Sequence, residues 1–137
     1  GQDGMVKLVG AQNNNAALSI RFNPENPDYT EEVPLRSLRS IMEEYHIKRI
    51  DLLKLDCEGA EHDIINALSD EELSTIQWIV GELHGVDNDY ALLARLNLFF
   101  HIDGRKMLHK DDWKFHAVNR KLLPQIGSRW NVKALQW

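Results

Sequence analysis

The fold is decided by twelve residues, positions 50–61, which read IDLLKLDCEGAE. The first six, Ile50–Leu55, form a short apolar run, which is typical of a strand covered on both faces of a sheet. An acid and a glycine at positions 58 and 59 break the run. From position 60 onward apolar residues recur at helical spacing, and Glu61 falls in the first turn, where an acid suits the helix dipole. We therefore predict a strand, a turn and a helix in succession.

The rest of the chain divides in the same way. The predicted strands cover residues 5–9, 16–22, 76–83, 99–103 and 113–119, and the predicted helices cover residues 35–46, 60–68 and 89–98. A polar turn at positions 12–15 joins the first two strands into a hairpin, a loop follows at 23–28, and Ser37 is a suitable cap for the first helix. The alternation of helices and strands predicts an α/β fold with a parallel sheet and right-handed crossovers.

Length and composition narrow the class of protein. The chain has 137 residues, 43% hydrophobic and 27% charged, which predicts one globular domain and excludes a disordered or fibrous chain. Its net charge of −5 argues against a nucleic-acid partner. The apolar stretches are too short to span a membrane and none resembles a signal peptide, so we expect no membrane partner. The single cysteine fits a reducing, cytoplasmic location.

Three regions are expected within this domain. Residues 1–30 form the hairpin and its loop, residues 31–119 form the α/β core, and residues 120–137 form a basic tail. The tail carries four basic residues and no acid. It either lies against the acidic remainder of the chain or contacts an acidic ligand.

Lys54 and Asp56 are the first candidates for chemistry. Strand alternation places them on one face about 7 Å apart, close enough to be joined. A lysine inside a buried strand needs a partner, because an unpaired buried ammonium is costly. Asp56 then either points into a cleft, where it positions a substrate hydroxyl or a cofactor amine, or forms a strand-end ion pair. In the second reading Glu58 and Glu61 are ordinary helix-start residues.

A second group of candidates ends the next strand. Glu82 and His84 face the same side by alternation, and with Asp56 they offer an acid/base cluster or a weak divalent-metal site. Cys57 with His84 as its base is a candidate nucleophile. The alternatives are a loop histidine with ordinary partners and a small buried cysteine. The sequence contains no glycine-rich nucleotide loop and no nucleophile elbow.

The motifs around these candidates resemble the FkbM-type methyltransferase domain. The segment VPLRSL at 33–38 precedes IDLLKLDCEGAE at 50–61, and GELH follows at 81–84. The pattern Lys-x-Asp-x-Glu-Gly-x-Glu is complete and fairly specific. Its members are Lys54, Asp56, Glu58, Gly59 and Glu61. The likeness covers about residues 33–84 and is weak beyond residue 97.

The resemblance implies a Rossmann-like class I methyltransferase fold that uses S-adenosylmethionine. Many such enzymes methylate hydroxyls of sugars or natural products, which implies a small-molecule or carbohydrate acceptor. Asp56 and His84 would be the catalytic residues, acting as base or orienter. Asp56, Glu58 and Glu61 would bind the cofactor, and no metal is implied.

The chain also departs from that family pattern. Class I methyltransferases hold the cofactor with an acidic, glycine-bearing loop after the first strand and an acid after the second, and the resemblance places residue 1 after both. The chain would then be a truncated fold, supplying the fourth to seventh strands of a mostly parallel sheet after an N-terminal β-hairpin. We expect the isolated chain to be inactive and to bind the cofactor weakly or undetectably.

Truncation has a physical consequence for the strand that contains Lys54. In a complete domain that strand would be central, so without its neighbour it exposes unpaired backbone groups along an apolar edge. We expect the chain to form a homodimer through this edge, to rearrange, or to cover the edge with its own hairpin. The functional alternative is a non-catalytic α/β interaction module that binds a partner or itself there.

Overall fold

A computed structural model describes residues 3–10, 29–57, 59–83, 89–102 and 114–126. The chain divides into two compact units, Gly1–Ile47 and Lys48–Trp137. Each unit has its own sheet, of two strands in the first and four in the second.

The first unit contains two antiparallel strands and a helix. Strand β1, Gly4–Gly10, pairs with β2, Tyr29–Leu35, and Val6 lies opposite Val33. The strand predicted at 5–9 is confirmed, whereas the one predicted at 16–22 lies outside the described residues. A helix beginning at residue 35 is wrong, because Leu35 is the last residue of β2. The residue before a proline disfavours helical geometry, and here Pro34 itself lies within a strand.

Helix α1, Leu38–Glu44, begins later than predicted but uses the predicted cap. The Ser37 hydroxyl accepts a hydrogen bond from the Ser40 backbone N–H at 3.1 Å. Asp3 secures the same turn, accepting from the Ser37 N–H and the Ser40 hydroxyl, each at 2.7 Å. The pKa of Asp3 is lowered, mainly because its carboxylate accepts the hydrogen bond from the Ser37 backbone N–H. The helix start is therefore fastened to the chain segment that leads into β1.

The second unit is built on a four-stranded sheet in the order β3-β4-β6-β5. The strands are β3, Ile50–Leu55; β4, Ile76–Glu82; β5, Phe100–Ile102; and β6, Lys114–Asn119. β3 and β4 are parallel, as predicted, and β6 is antiparallel to both of its neighbours, β4 and β5. Three strands therefore run in one direction and only β6 is reversed, so this is a mixed α/β sheet.

Four helical segments accompany this sheet, and two of them, α2 and α4, are close to those predicted. They are α2, Glu61–Asn66; α3, Asp70–Thr75; α4, Asp89–Asn97; and, after a 3₁₀ turn at Arg120–Leu122, α5, Leu123–Ile126. Helix α3 was not predicted. Its signal is the capping box of Ser69 and Glu72, in which each side chain accepts from the other residue's backbone N–H.

The main core of the second unit lies on one face of the sheet, and only β6 is buried on both of its faces. By register, Leu55, Ile79 and Phe115 point to the same side. All three are buried, together with Ile65 of α2 and side chains of α3, α4 and β5. Those side chains are Leu73, Leu92, Leu96 and Phe100. The helices that follow β3 and β4 thus supply the apolar side chains that cover this face.

The opposite face of β3 is exposed, which contradicts the predicted burial on both faces. Leu52 is 60% exposed and the Lys54 side chain is 69% exposed. Within the described residues β3 pairs with β4 and with no second strand, so it is an edge strand. A short apolar run does not distinguish a strand covered on both faces from an edge strand covered on one face, and this is why the sequence-based burial was wrong.

The beginning of the predicted basic tail is partly ordered against α4. The Arg120 guanidinium donates to the backbone carbonyl and the side-chain carbonyl of Asn97, at 3.1 and 3.0 Å. Residues 127–137 lie outside the described part of the chain. No helix among the described residues is long and apolar enough to cross a membrane.

We expect Gly81→Ala to destabilise the second unit. A Cβ built on Gly81 would lie 2.5 Å from the Phe115 ring and 3.1 Å from the Leu55 carbonyl oxygen. Overpacking of this kind costs about 1–3 kcal/mol. Urea denaturation measures the loss, and Gly4→Ala is the matched control because a Cβ at Gly4 meets nothing within 4 Å. Equal stability of the two variants would contradict this account of the core.

Candidate functional site

The candidate site lies at the carboxyl ends of β3 and β4. Because these strands are parallel and Leu55 lies opposite Gly81, the residues that follow them emerge at the same edge of the sheet. Asp56 follows β3 directly, and Glu82 is the last residue of β4. Glu58 and His84 lie outside the described residues, so their predicted roles remain predictions.

Asp56 is joined to Lys54, as the strand alternation predicted. Lys54 Nζ donates to Asp56 Oδ2 at 2.7 Å. The hydrogen bond to Asp56 raises the pKa of Lys54, which therefore stays protonated. The side chain of Asp56 is 31% exposed. The pairing is confirmed, but its predicted cause was wrong, because the Lys54 ammonium lies in solvent and is not a buried charge.

A second charged pair lies on the same face of the sheet. Glu82 and Lys114 are cross-strand partners in register, and their charged groups are 3.5 Å apart. Register and alternation place both residues on the face that carries Lys54. Glu82 contributes, after Asp56, to the raised pKa of Lys54. Acids and bases therefore alternate along this edge from Asp56 to Lys114.

Glu61 has a structural role that the sequence analysis did not assign to it. Its side chain is 2% exposed, and its Oε1 accepts a hydrogen bond from the Cys57 backbone N–H at 2.6 Å. Charge-assisted bonds of this length are among the stronger ones in proteins. The bond spans the turn between β3 and α2, and so fixes the chain directly after Asp56. Glu61 is therefore more than an ordinary helix-start acid.

A signal for this role was present in the sequence. Helix α2 starts after Ala60, which has no side-chain acceptor to cap the helix, and the structure shows no side-chain cap bond there. Glu61, one position later, is an acid that directly follows a turn containing Gly59, and it is therefore a candidate acceptor for a backbone N–H of that turn. The cofactor contact of Glu61 stays a prediction.

Gly59 explains why the motif needs glycine at this position. Its φ angle is 98°, in the left-handed region that side chains rarely adopt. The residue is also buried. The turn that connects Asp56 to α2 therefore depends on glycine for its backbone path and on Glu61 for its hydrogen bond.

The remaining candidates are only partly placed. Cys57 is a free, half-buried cysteine, and its proposed base, His84, lies outside the described residues. Across the described ranges, no three His, Cys, Asp or Glu side chains lie close enough together to hold a metal ion. Chemically, the part of the site that is described offers two partly exposed carboxylates, Asp56 and Glu82, each beside a lysine. Such groups can accept hydrogen bonds from a hydroxyl or an amine.

Comparison with known proteins gives a family match over most of the chain. Residues 4–116 match the family described as the Methyltransferase FkbM domain. A segment of 51 residues is 41% identical to "Methyltransferase 1" of Beauveria bassiana, covering 37% of this chain and 20% of that protein. A segment of 50 residues is 42% identical to "AMB antimetabolite synthetase AmbE" of Pseudomonas aeruginosa, covering 36% of this chain and 2% of that protein. No solved structure gives a significant match.

We expect Glu61→Ala to destabilise the chain by about 1–3 kcal/mol, because the Cys57 N–H loses its acceptor. Glu61→Gln retains an acceptor oxygen, so its loss should be smaller. Asp63→Ala is the matched control, since Asp63 is an exposed acid in the same helical turn and should cost less than about 1 kcal/mol. Chemical denaturation measures all three. A Glu61→Ala variant no less stable than the control would contradict the proposed turn bond.

Proposed function

The chain belongs to the FkbM methyltransferase domain family, and from that premise we propose that it forms part of an S-adenosylmethionine-dependent O-methyltransferase. The acceptor in this proposal is a hydroxyl group of a sugar or a small natural product. One observation carries the proposal beyond the family assignment. Asp56, the acid of the family motif, lies at the carboxyl end of a strand, where α/β sheets bind their ligands.

The described residues suit the polar groups of this cofactor. S-adenosylmethionine, when bound, supplies a methyl group on a positively charged sulfur. Asp56 is a carboxylate with 31% of its side chain exposed, and its cationic partner, Lys54, lies on the solvent side. We assign Asp56 to orient a hydroxyl or amine donor, and the Glu61 bond to Cys57 to hold Asp56 in place.

Transfer to a hydroxyl needs alignment and the removal of one proton. The acceptor oxygen forms a bond to the methyl carbon, the carbon–sulfur bond breaks with its electron pair remaining on sulfur, and the hydroxyl proton passes to a base. Alignment contributes most of the rate, because the methyl group is already activated. Asp56 or His84 takes the proton in our proposal. Glu58 is assigned to the cofactor side on the motif alone.

We further propose that residues 1–137 hold only part of the cofactor site. The four strands of the second unit equal the number that the resemblance assigns to this chain, and β3, which would be central, is an edge strand here. The sequence contains no acidic, glycine-bearing loop of the kind that holds the cofactor. The chain also spans about a fifth of the fungal methyltransferase that it matches. Together these observations favour a domain whose first strands lie elsewhere in the protein.

The exposed edge of β3 also favours a second function, that of a non-catalytic module that binds through the sheet edge. The two functions differ in what precedes position 1 in the gene. A strand ending in Asp-x-Gly-x-x-x-Gly within about 60–80 residues upstream would favour the enzyme. A gene without that segment would favour the module.

In an active protein that contains this chain, we expect Asp56→Ala to reduce kcat by about 100-fold or more, because a positioned acid/base or orienting group is lost. Far-ultraviolet circular dichroism and thermal melting verify the fold. Asp51→Ala is the matched control. Asp51 is an exposed acid on the same strand, paired with Arg49 at 2.9 Å, and its loss should leave turnover unchanged. Full activity in Asp56→Ala would remove Asp56 from the site.

For the 137-residue chain alone, we expect weak or undetectable binding of S-adenosylmethionine by isothermal titration calorimetry. The physical reason is that the proposed site lacks the residues that hold most of the cofactor. A longer protein that includes the upstream strands should bind it measurably. Tight binding by the isolated chain would contradict the proposed division of the site while leaving the family assignment intact.

A further inference from the structure

Strand β3 lies at the edge of the four-stranded sheet and carries an exposed large apolar residue. Leu52 lies in the middle of the strand and is 60% exposed. Within the described residues no strand pairs with β3 on the side away from β4, so no described strand accepts or donates the backbone hydrogen bonds of that edge. A strand edge of this kind is a template for pairing with another chain.

Charges normally protect such an edge, and here they are neutralised within the chain. Arg49 pairs with Asp51 at 2.9 Å, and Lys54 pairs with Asp56 at 2.7 Å. Each end of β3 therefore carries one positive and one negative charge that sum to zero. A second copy approaching this edge meets no net repulsion from the strand.

We propose that two copies of the chain pair through this edge, β3 against β3, antiparallel, with Leu52 opposite Leu52. When two copies are related by a two-fold axis perpendicular to the sheet, the same face of β3 lies on the same side of the joined sheet in both copies. Residues that lie opposite each other must therefore both be even-numbered or both be odd-numbered. This condition leaves only a few registers for β3.

The charges and the exposed leucine together favour one of those registers. With Leu52 opposite Leu52, the register places Lys48 opposite Asp56 of the second copy, twice in each dimer, and opposes no like charges. With Asp51 at the centre, two aspartates would oppose each other and Lys48 would oppose Lys54. A register centred on Leu53 also opposes no like charges, but the register centred on Leu52 pairs opposite charges and also brings the two exposed leucines into contact.

The inference concerns the chain of residues 1–137 and does not rest on methyl transfer. The pairing of two copies is measured as molecular mass, whereas the proposed function is measured as turnover and cofactor binding. In a domain that includes the upstream strands, the proposed function assigns this same edge to another strand of the same polypeptide. A monomeric longer protein is therefore compatible with a dimeric 137-residue chain.

Size-exclusion chromatography with light scattering tests the pairing over about 1–500 µM. We expect the mass to rise with concentration from 15.8 kDa towards twice that value. Leu52→Lys should raise the dimer dissociation constant at least tenfold, because it places two like charges opposite each other. Leu98→Lys is the matched control, since Leu98 is 68% exposed and lies just after α4, away from the edge. A monomer at every concentration, or a dimer unaffected by Leu52→Lys, would overturn the proposal.

Disulfide trapping tests the register. In a Cys57→Ser background, Leu52→Cys places two thiols opposite each other and should give a cross-linked dimer on non-reducing gels. Asp51→Cys, which the register places opposite Leu53, should cross-link far less under the same oxidant. Stronger cross-linking through position 51 than through position 52 would contradict the register, even if the chain dimerises.

Discussion

The buried carboxylate of Glu61, which accepts the Cys57 N–H at 2.6 Å, is the constraint on which the candidate site depends. It closes the turn between the last residue of β3 and the first turn of α2. Gly59 supplies the left-handed backbone that this turn requires. Asp56 precedes this turn and is paired with Lys54. Its position is therefore fixed by the Lys54 side chain and by the Glu61 bond to the next residue, Cys57. The motif is thus a way of holding one carboxylate at a strand end.

The position of β3 at the sheet edge links the site to the rest of the molecule. Lys54 and Leu52 are exposed for the same reason, since both lie on the face of β3 that points away from the core, on a strand at the edge of the described sheet. The opposite face is fully buried around Phe115, Ile79 and Leu55, which keeps the strand in register with β4. The strand is therefore rigid on one face and open along one edge. Both the proposed methyltransferase domain and the proposed dimer place another strand there.

The sequence was most informative where a single physical signal dominates. Ile50–Leu55 matches its predicted bounds, because an apolar run ended by a glycine turn has few alternatives. Ser37 capped its helix as predicted. β2 was missed because it contains Glu31, Glu32 and Pro34, and two acids and a proline are more typical of a loop or a helix start than of a strand. α3 was missed because a six-residue helix has too few turns to show a period.

The site was predicted less completely than the fold, for a physical reason. The pairing of Lys54 with Asp56 follows from alternation along one strand, so it was accessible. Whether a strand is central or at an edge depends on residues distant in sequence, so the exposure of Leu52 was not. Glu61 was seen as a helix-start acid, although its hydrogen bond to Cys57 gives it a separate function in the turn.

Amide hydrogen exchange at Cys57 tests the central claim most directly. If the Glu61 carboxylate fixes the turn, the Cys57 N–H exchanges much more slowly than an unstructured amide in the native chain and accelerates in Glu61→Ala, while the amides of β4 keep their rates. A Cys57 amide that exchanges freely in the native chain, or at the same rate in both proteins, would contradict the account.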